Sequence, residues 1–157
     1  MVAAILACAF FASTGAAGAE RVAAKLPGAG DLKADAVDAR ERHVPILLFF
    51  NRAGCVYCER ALREYLAPMQ GDPAYAGRVL FRQVEIDKPL RLVDFGGRAT
   101  THREFAARYK VRLTPTIWFV DGEGTALAEP IVGLPTIDFF GAYIDQRIGD
   151  SLAKLRP

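Results

Sequence analysis

The run Pro45-Ile46-Leu47-Leu48-Phe49-Phe50 carries no polar side chain, and after four intervening residues the chain reads Cys55-Val56-Tyr57-Cys58. An apolar run of strand length must be buried on both faces, which calls for a parallel or mixed sheet with helices on either side. Glu59, Leu62, Arg63, Tyr65 and Leu66 continue from the cysteines with helical spacing, so the pair falls where a strand hands over to a helix; that helix is predicted to end before Pro68. Two cysteines separated by two residues at a helix start can close a disulfide across one turn. Their placement is that of a dithiol centre rather than of a structural staple, because a bridge closing so short a loop restrains the unfolded chain little.

The surrounding pattern is that of one α/β domain. At 157 residues, 52% of them apolar and 24% charged, the chain suits a single core. Leu26-Pro27-Gly28-Ala29-Gly30 reads as a structure breaker, and Asp31 is placed to cap a helix through Lys33, Ala36, Val37, Ala39 and Arg40. Val79 to Ile86 reads as a second strand closed by Asp87-Lys88-Pro89. Leu90 to Ala99, with Gly96-Gly97, reads as an irregular and mobile connection, after which Thr100 or Thr101 caps a helix bearing Phe105, Ala106 and Tyr109. Ile117 to Val120 is a strand, Asp121-Gly122-Glu123-Gly124 a hairpin turn, and Thr125 to Val132 a return strand that Pro130 consigns to an edge. A last helix is predicted over Thr136 to Leu152, its apolar stripe made by Ile137, Phe140, Tyr143, Ile144 and Ile148.

Composition removes several functions. The net charge of +2 comes from interspersed acids and bases, with no basic run to follow a phosphate backbone, so nucleic acid is not an expected partner. A zinc site needs about four ligands. Beyond Cys55 and Cys58 only His43 and His102 stand outside the first segment as soft donors, neither at metal-finger spacing, so no metal and no cofactor is expected. Both histidines read as surface or cap residues, without a catalytic companion in sequence. Glu59, Arg60, Arg63 and Glu64 read as a solvated helix face.

Val2 to Ala19 is uncharged, rich in alanine, and ends in Ala17-Gly18-Ala19, a small-x-small pattern of the kind cut by signal peptidase. Residues 1–19 are therefore read as a signal peptide lacking the usual basic start, and residues 20–157 as the domain. The expected location is the periplasm or another exported compartment, with an uncleaved membrane anchor or a buried N-terminal helix as alternatives. Cleavage would remove Cys8 and leave two cysteines, as suits an oxidising compartment.

Thr114-Pro115 before Ile117-Trp118-Phe119 adds a second signature. With the cysteine pair and the following hairpin, the span from about Asp31 to Leu152 resembles the thioredoxin superfamily, and looks closest to periplasmic thioredoxin-like thiol:disulfide oxidoreductases, including those associated with bacterial sulfur oxidation. The resemblance implies a central mixed sheet flanked by helices and a cis-proline loop at Pro115 facing the CxxC pair. It implies Cys55 as attacking thiol, with a lowered pKa that the helix end and Arg52 would favour, and Cys58 as resolving thiol. Val56, Tyr57, Thr114 and Pro115 would form the substrate-binding surface, and Gly133 matches the glycine near the end of the last strand. The partners implied are protein disulfides and an upstream redox protein, which a membrane protein could supply; the chain is expected to be a monomer and a reductant rather than an oxidant. The competing reading is a thioredoxin-fold binding or chaperone module, or a metal-handling protein, without redox turnover.

The sequence departs from that pattern in several places. Phe49 stands where cytosolic thioredoxins keep a buried aspartate, Gly54 replaces the tryptophan before the first cysteine, Val56-Tyr57 matches neither strong reductants nor strong oxidants, and extra residues fall near Pro89 to Ala99.

Overall fold

A computed structural model describes residues 25–135 and 137–156. The reading of residues 1–19 as a signal peptide lies outside the described residues. Helix α1 (Leu32–Arg42) precedes strand β1 (Ile46–Asn51), and α2 (Val56–Ala61) passes through a π-helical turn (Leu62–Leu66) into α3 (Ala67–Gly71). A short α4 (Pro73–Ala76) leads to β2 (Leu80–Glu85), followed by β3 (Arg91–Val93), β4 (Ala99–Thr101) and α5 (His102–Arg108). Strands β5 (Thr116–Val120) and β6 (Ile131–Val132), a 3-10 turn (Ile137–Phe139) and α6 (Phe140–Leu155) complete the order.

Strand β1 is the second of four in the main sheet, ordered β2-β1-β5-β6: parallel to β2 and antiparallel to β5, so the sheet is mixed. Strand side chains alternate faces, and the apolar run divides accordingly. Leu47 and Phe49 join one core with Ala61, Leu66, Ile117, Phe119, Phe140, Ile144 and Ile148. Ile46, Leu48 and Phe50 join the other with Leu32, Ala39, Phe105 and Ala106. The helix that follows the cysteines and α6 therefore cover one face, and α1 and α5 the other. Phe50, Phe105, Tyr109 and Trp118 form a chain of ring contacts on that second face, with centroid separations of 4.8 to 6.3 Å.

Several expectations need correction. The helix does not stop at Pro68 but runs past it to Gly71. A proline ring clashes with the carbonyl of the fourth residue before it, and the π turn immediately upstream widens the backbone there, with the Ala67 N–H donating to the Leu62 carbonyl instead. The Leu26–Gly30 segment is not a mere break: the Ala29 N–H donates to the Gln83 carbonyl at 2.9 Å and the Gln83 N–H to the Pro27 carbonyl at 2.8 Å, covering the β2 edge. The return strand is broken, since Ala126 bridges Val120 but Ile131 pairs with Ile117, a change of register around Pro130. Tyr143 is exposed rather than part of the α6 stripe, whose buried residues are Phe140, Ile144, Ile148 and Ser151.

The connection after Pro89 is an ordered hairpin, β3 paired with β4. Asp94 organises it from a buried position, accepting from the Arg98 N–H at 2.9 Å and lying 3.1 Å from the Arg108 guanidinium. Burial alone would raise its pKa, but the Arg98 N–H and the Arg98 and Arg108 charges outweigh it and hold the carboxyl below its usual value. Phe95 packs against Phe105 at the turn. Gly124 has to be a glycine for two reasons: its φ is +82°, and a Cβ there would lie 2.6 Å from the Phe95 ring.

His102 is buried in the first turn of α5, behind the Thr101 cap, contrary to its reading as a surface or cap residue. It accepts the Glu85 N–H at Nδ1 (3.0 Å), which leaves the proton on Nε2 to be donated to the Ala29 carbonyl, also at 3.0 Å. Burial depresses its pKa, against smaller opposing effects of the Ala29 carbonyl and Glu85. In acid the unfolded chain therefore takes up more protons than the folded one, and stability falls as pH drops below about 6.5, the ordinary histidine value. Urea titrations from pH 8 to 5 should show this loss, and His102→Gln should flatten it. An unchanged slope in the variant would assign the loss to other groups.

Candidate functional site: a disulfide at a helix N-terminus

The active segment begins where β1 ends. The Asn51 carbonyl accepts the Ile86 N–H at 2.8 Å, and the Ala53 N–H donates to the Asp87 carboxylate at 3.2 Å, so the loop is anchored to the end of β2. Gly54 turns it with φ +67°, a left-handed conformation that favours glycine, and delivers Cys55 to the N-cap of α2. Asparagine, serine or aspartate oxygens usually fill that role. Here Cys55 Sγ accepts the Cys58 N–H at 3.2 Å, while the Cys55 carbonyl accepts the Glu59 N–H at 3.0 Å.

Cys55 and Cys58 are joined in a disulfide with Cα atoms 5.1 Å apart. Cys55 retains 8% exposure and Cys58 only 2%. Both sulfurs sit against the core on the Phe49 face. Val56 and Tyr57, by contrast, are 73% and 62% exposed in the first helical turn.

Across from Cys55 stands the loop before β5, in which the Thr114–Pro115 peptide is cis. The Thr114 hydroxyl lies 3.6 Å and its carbonyl oxygen 3.7 Å from Cys55 Sγ. In the disulfide that sulfur has no hydrogen to donate, so the carbonyl contact becomes a hydrogen bond only in the thiol form. The loop is tied down on both sides: the Gly133 N–H donates to the Pro115 carbonyl and the Thr116 hydroxyl to the Leu113 carbonyl, each at 2.8 Å. Among the described residues the Thr114 N–H and C=O take part in no backbone hydrogen bond.

The structure thus brings together Cys55, Cys58, Thr114 and Pro115, with Val56 and Tyr57 on the outer side of the turn and Gly133 holding the proline loop. Both histidines stand apart in structural roles, His43 as the left-handed C-cap of α1 and His102 under the hairpin. Leu113, 65% exposed beside Thr114, went unmarked in sequence because one apolar residue in a loop carries no periodicity. Among the described residues no group of three or more His, Cys, Asp or Glu side chains could hold a metal ion, and no helix is long and apolar enough to cross a membrane.

Opening and closing the Cys55–Cys58 bond is the chemistry that a sulfur pair so placed performs, and this makes the chain a thiol-disulfide oxidoreductase on a thioredoxin fold. It belongs to the thioredoxin-like domain family, which matches residues 32–148. No curated protein sequence matches it. Among solved structures, a poplar thioredoxin h mutant superposes with a TM-score of 0.57 at 16% identity, covering 84% of this chain and 89% of that one. Mitochondrial thioredoxin 3 from Saccharomyces cerevisiae, in its oxidised form, gives 0.54 at 15% identity over 80% and 94% of the two chains. Thioredoxin O2 from Arabidopsis thaliana, also oxidised, gives 0.50 at 18% identity over 79% and 94%. At these identities the likeness is one of fold.

Proposed function

We propose that this chain reduces disulfides in exported proteins, with Cys55 as attacking and Cys58 as resolving thiol. The observation that carries the reading is the position of Cys55 Sγ, which accepts the Cys58 N–H at the positive end of a helix and belongs to the more exposed of the two cysteines. Those donors favour the thiolate, which is the nucleophile.

The thiolate of Cys55 attacks one sulfur of the substrate disulfide, forming a mixed disulfide and expelling the other sulfur as a thiolate, which takes a proton from solvent. Cys58, once deprotonated, then attacks Cys55 Sγ and releases the second substrate thiol. Two electrons pass to the substrate, the pair ends oxidised, and an upstream dithiol donor must restore it. Thr114 orients the substrate strand through its backbone N–H and C=O, which take part in no backbone hydrogen bond among the described residues, and Pro115 shapes the loop beside the sulfur. Val56 and Tyr57 offer an exposed apolar surface to the substrate.

Export is supported by the uncharged Val2 to Ala19 segment and its small-x-small ending, and by the two cysteines that cleavage would leave. Fractionation with N-terminal sequencing of the recovered protein tests this, a mature start at Glu20 being the expected result.

Direction is tested by equilibrating the pair in dithiothreitol or glutathione buffers and counting free thiols by alkylation. A potential near that of thioredoxin, about −270 mV, is expected; one near −120 mV would make the chain a disulfide donor.

A further inference from the structure

We infer that the groove beneath the proline loop selects disulfide substrates carrying an acidic and an apolar residue beside the reacting cysteine, with Lys110 and Arg112 as the specificity-determining charges. The inference rests on the oxidoreductase reading above and extends it to the class of substrate.

The groove is a cavity of about 190 Å³ that begins at Leu113 and Thr116, the neighbours of Thr114 and Pro115. Those two residues flank the loop that faces Cys55, while Tyr109 and Trp118 place the rest of the groove around the end of β5 on the second face of the sheet. Its walls are apolar, made chiefly by Val111, Leu113, Trp118, Pro130 and Val132. The charged side chains in its lining are Lys110 and Arg112; no carboxylate lines it. Both cations are exposed, and neither has an ion-pair partner among the described residues. An extended chain advances about 3.3 Å per residue, so a peptide crossing Thr114 reaches this groove within two or three residues of its cysteine.

The backbone at Lys110 is a second and independent observation. The Lys110 N–H donates to the Ala107 carbonyl at 3.0 Å and the Val111 N–H to the Ala106 carbonyl at 3.1 Å, closing α5 with a left-handed residue at φ +53°. Helices ending this way usually place glycine there, since a Cβ is disfavoured in that conformation. A lysine at this point costs stability, and its ammonium has no ion-pair partner among the described residues. What it does supply is an ammonium at the groove, one residue from the Val111 wall and two from Arg112.

The test uses two synthetic peptides, each with one cysteine in mixed disulfide with 2-mercaptoethanol and identical except for Asp-Leu or Lys-Leu on both sides of the cysteine. The second-order rate of reaction with the reduced full-length chain is measured for each. We expect the acidic peptide to react about five-fold faster at low ionic strength, a margin of the size that two rim charges supply, and the margin to shrink at about 0.5 M salt. The double variant Lys110→Gly, Arg112→Gln should bring the ratio close to one without lowering the melting temperature, because glycine suits the left-handed position. Lys110→Met, which keeps the stem and the backbone constraint but drops the charge, should reduce the ratio as well. Equal rates for the two peptides with the wild-type chain, or a ratio that survives in the double variant, would overturn the inference. Hydroxyethyl disulfide, small and neutral, separates the two readings: a wild-type chain inert toward it overturns the oxidoreductase reading and the groove with it, whereas normal turnover with no charge preference overturns the groove alone.

Discussion

Cys55→Ser is expected to abolish disulfide reduction, lowering the rate by on the order of 10³-fold or more while leaving the fold intact. A serine hydroxyl keeps the N-cap, since its oxygen accepts the Cys58 N–H at least as well as sulfur does, and serine is among the preferred capping residues. It cannot form the mixed disulfide, so the loss is one of chemistry and not of structure. Insulin reduction with dithiothreitol as electron source gives the rate, and urea unfolding gives the stability. Activity within ten-fold of wild type would remove Cys55 from the role of nucleophile.

The companion variant Cys58→Ala should behave differently in kind. Cys55 would still attack, but the resolving sulfur would be gone, so mixed disulfides should accumulate and be visible as adducts under non-reducing conditions. Adducts on Cys58 in a Cys55→Ser background would reverse the assignment. At 2% exposure, Cys58 is poorly placed to meet a protein substrate directly.

What was legible beforehand follows a physical division. The apolar run through β1, the Asp31 cap, the cap at Thr100 or Thr101, which the structure resolves to Thr101, and the cysteine pair are local signals, and each appears where sequence placed it. The features that were missed depend on contacts distant in sequence. Pro68 carries a helix-breaking signal, and only the π turn upstream lets the helix survive it. The segment holding Gly96-Gly97 looked irregular because its strands are three residues each, too short to show alternation; Asp94 closes the hairpin, and the Arg108 guanidinium of α5 pairs with it from outside. His102 followed the same logic, since both of its backbone partners lie far from it in sequence and no local pattern announces them. Pro115 was legible through its motif, whereas Lys110 and Arg112 carry no local pattern that marks them.

Phe49→Ala should destabilise the domain by about 3–5 kcal/mol, and Phe49→Asp by more than about 4 kcal/mol at pH 7. The total stability of a domain of this kind is only about 5–15 kcal/mol, so either change removes much of it. Phe49 is fully buried on the central strand and belongs to the same cluster as Cys58, Ile117, Phe119 and Phe140, none of which can pair with a charge. Truncation to alanine leaves a cavity in the core cluster that also holds the disulfide. Aspartate leaves much the same cavity and adds a carboxyl that the site cannot solvate, so it takes up a proton and its folded-state pKa rises. The folded form then binds more protons than the unfolded one above pH 4, and its stability is greatest below the ordinary aspartate value of about 3.9 and is lost as pH rises through the elevated folded value. Phe49→Asp should therefore grow less stable between pH 4.5 and 8 relative to Phe49→Ala, measured by urea unfolding of both proteins in the oxidised state. Parallel pH profiles for the two would mean that water or a basic side chain reaches the inner sulfur, and Cys58 would then sit in a polar rather than an apolar pocket. The same apolar surroundings bear on turnover, because a thiol at 2% exposure in an apolar cluster must lose its proton before it can attack Cys55. Resolution of the mixed disulfide in the wild-type chain is accordingly expected to be the slower of the two exchange steps and to accelerate with rising pH. Rapid-quench alkylation of the mixed disulfide across pH 6 to 9 tests this, and a pH-independent second step would show that Cys58 has a proton acceptor.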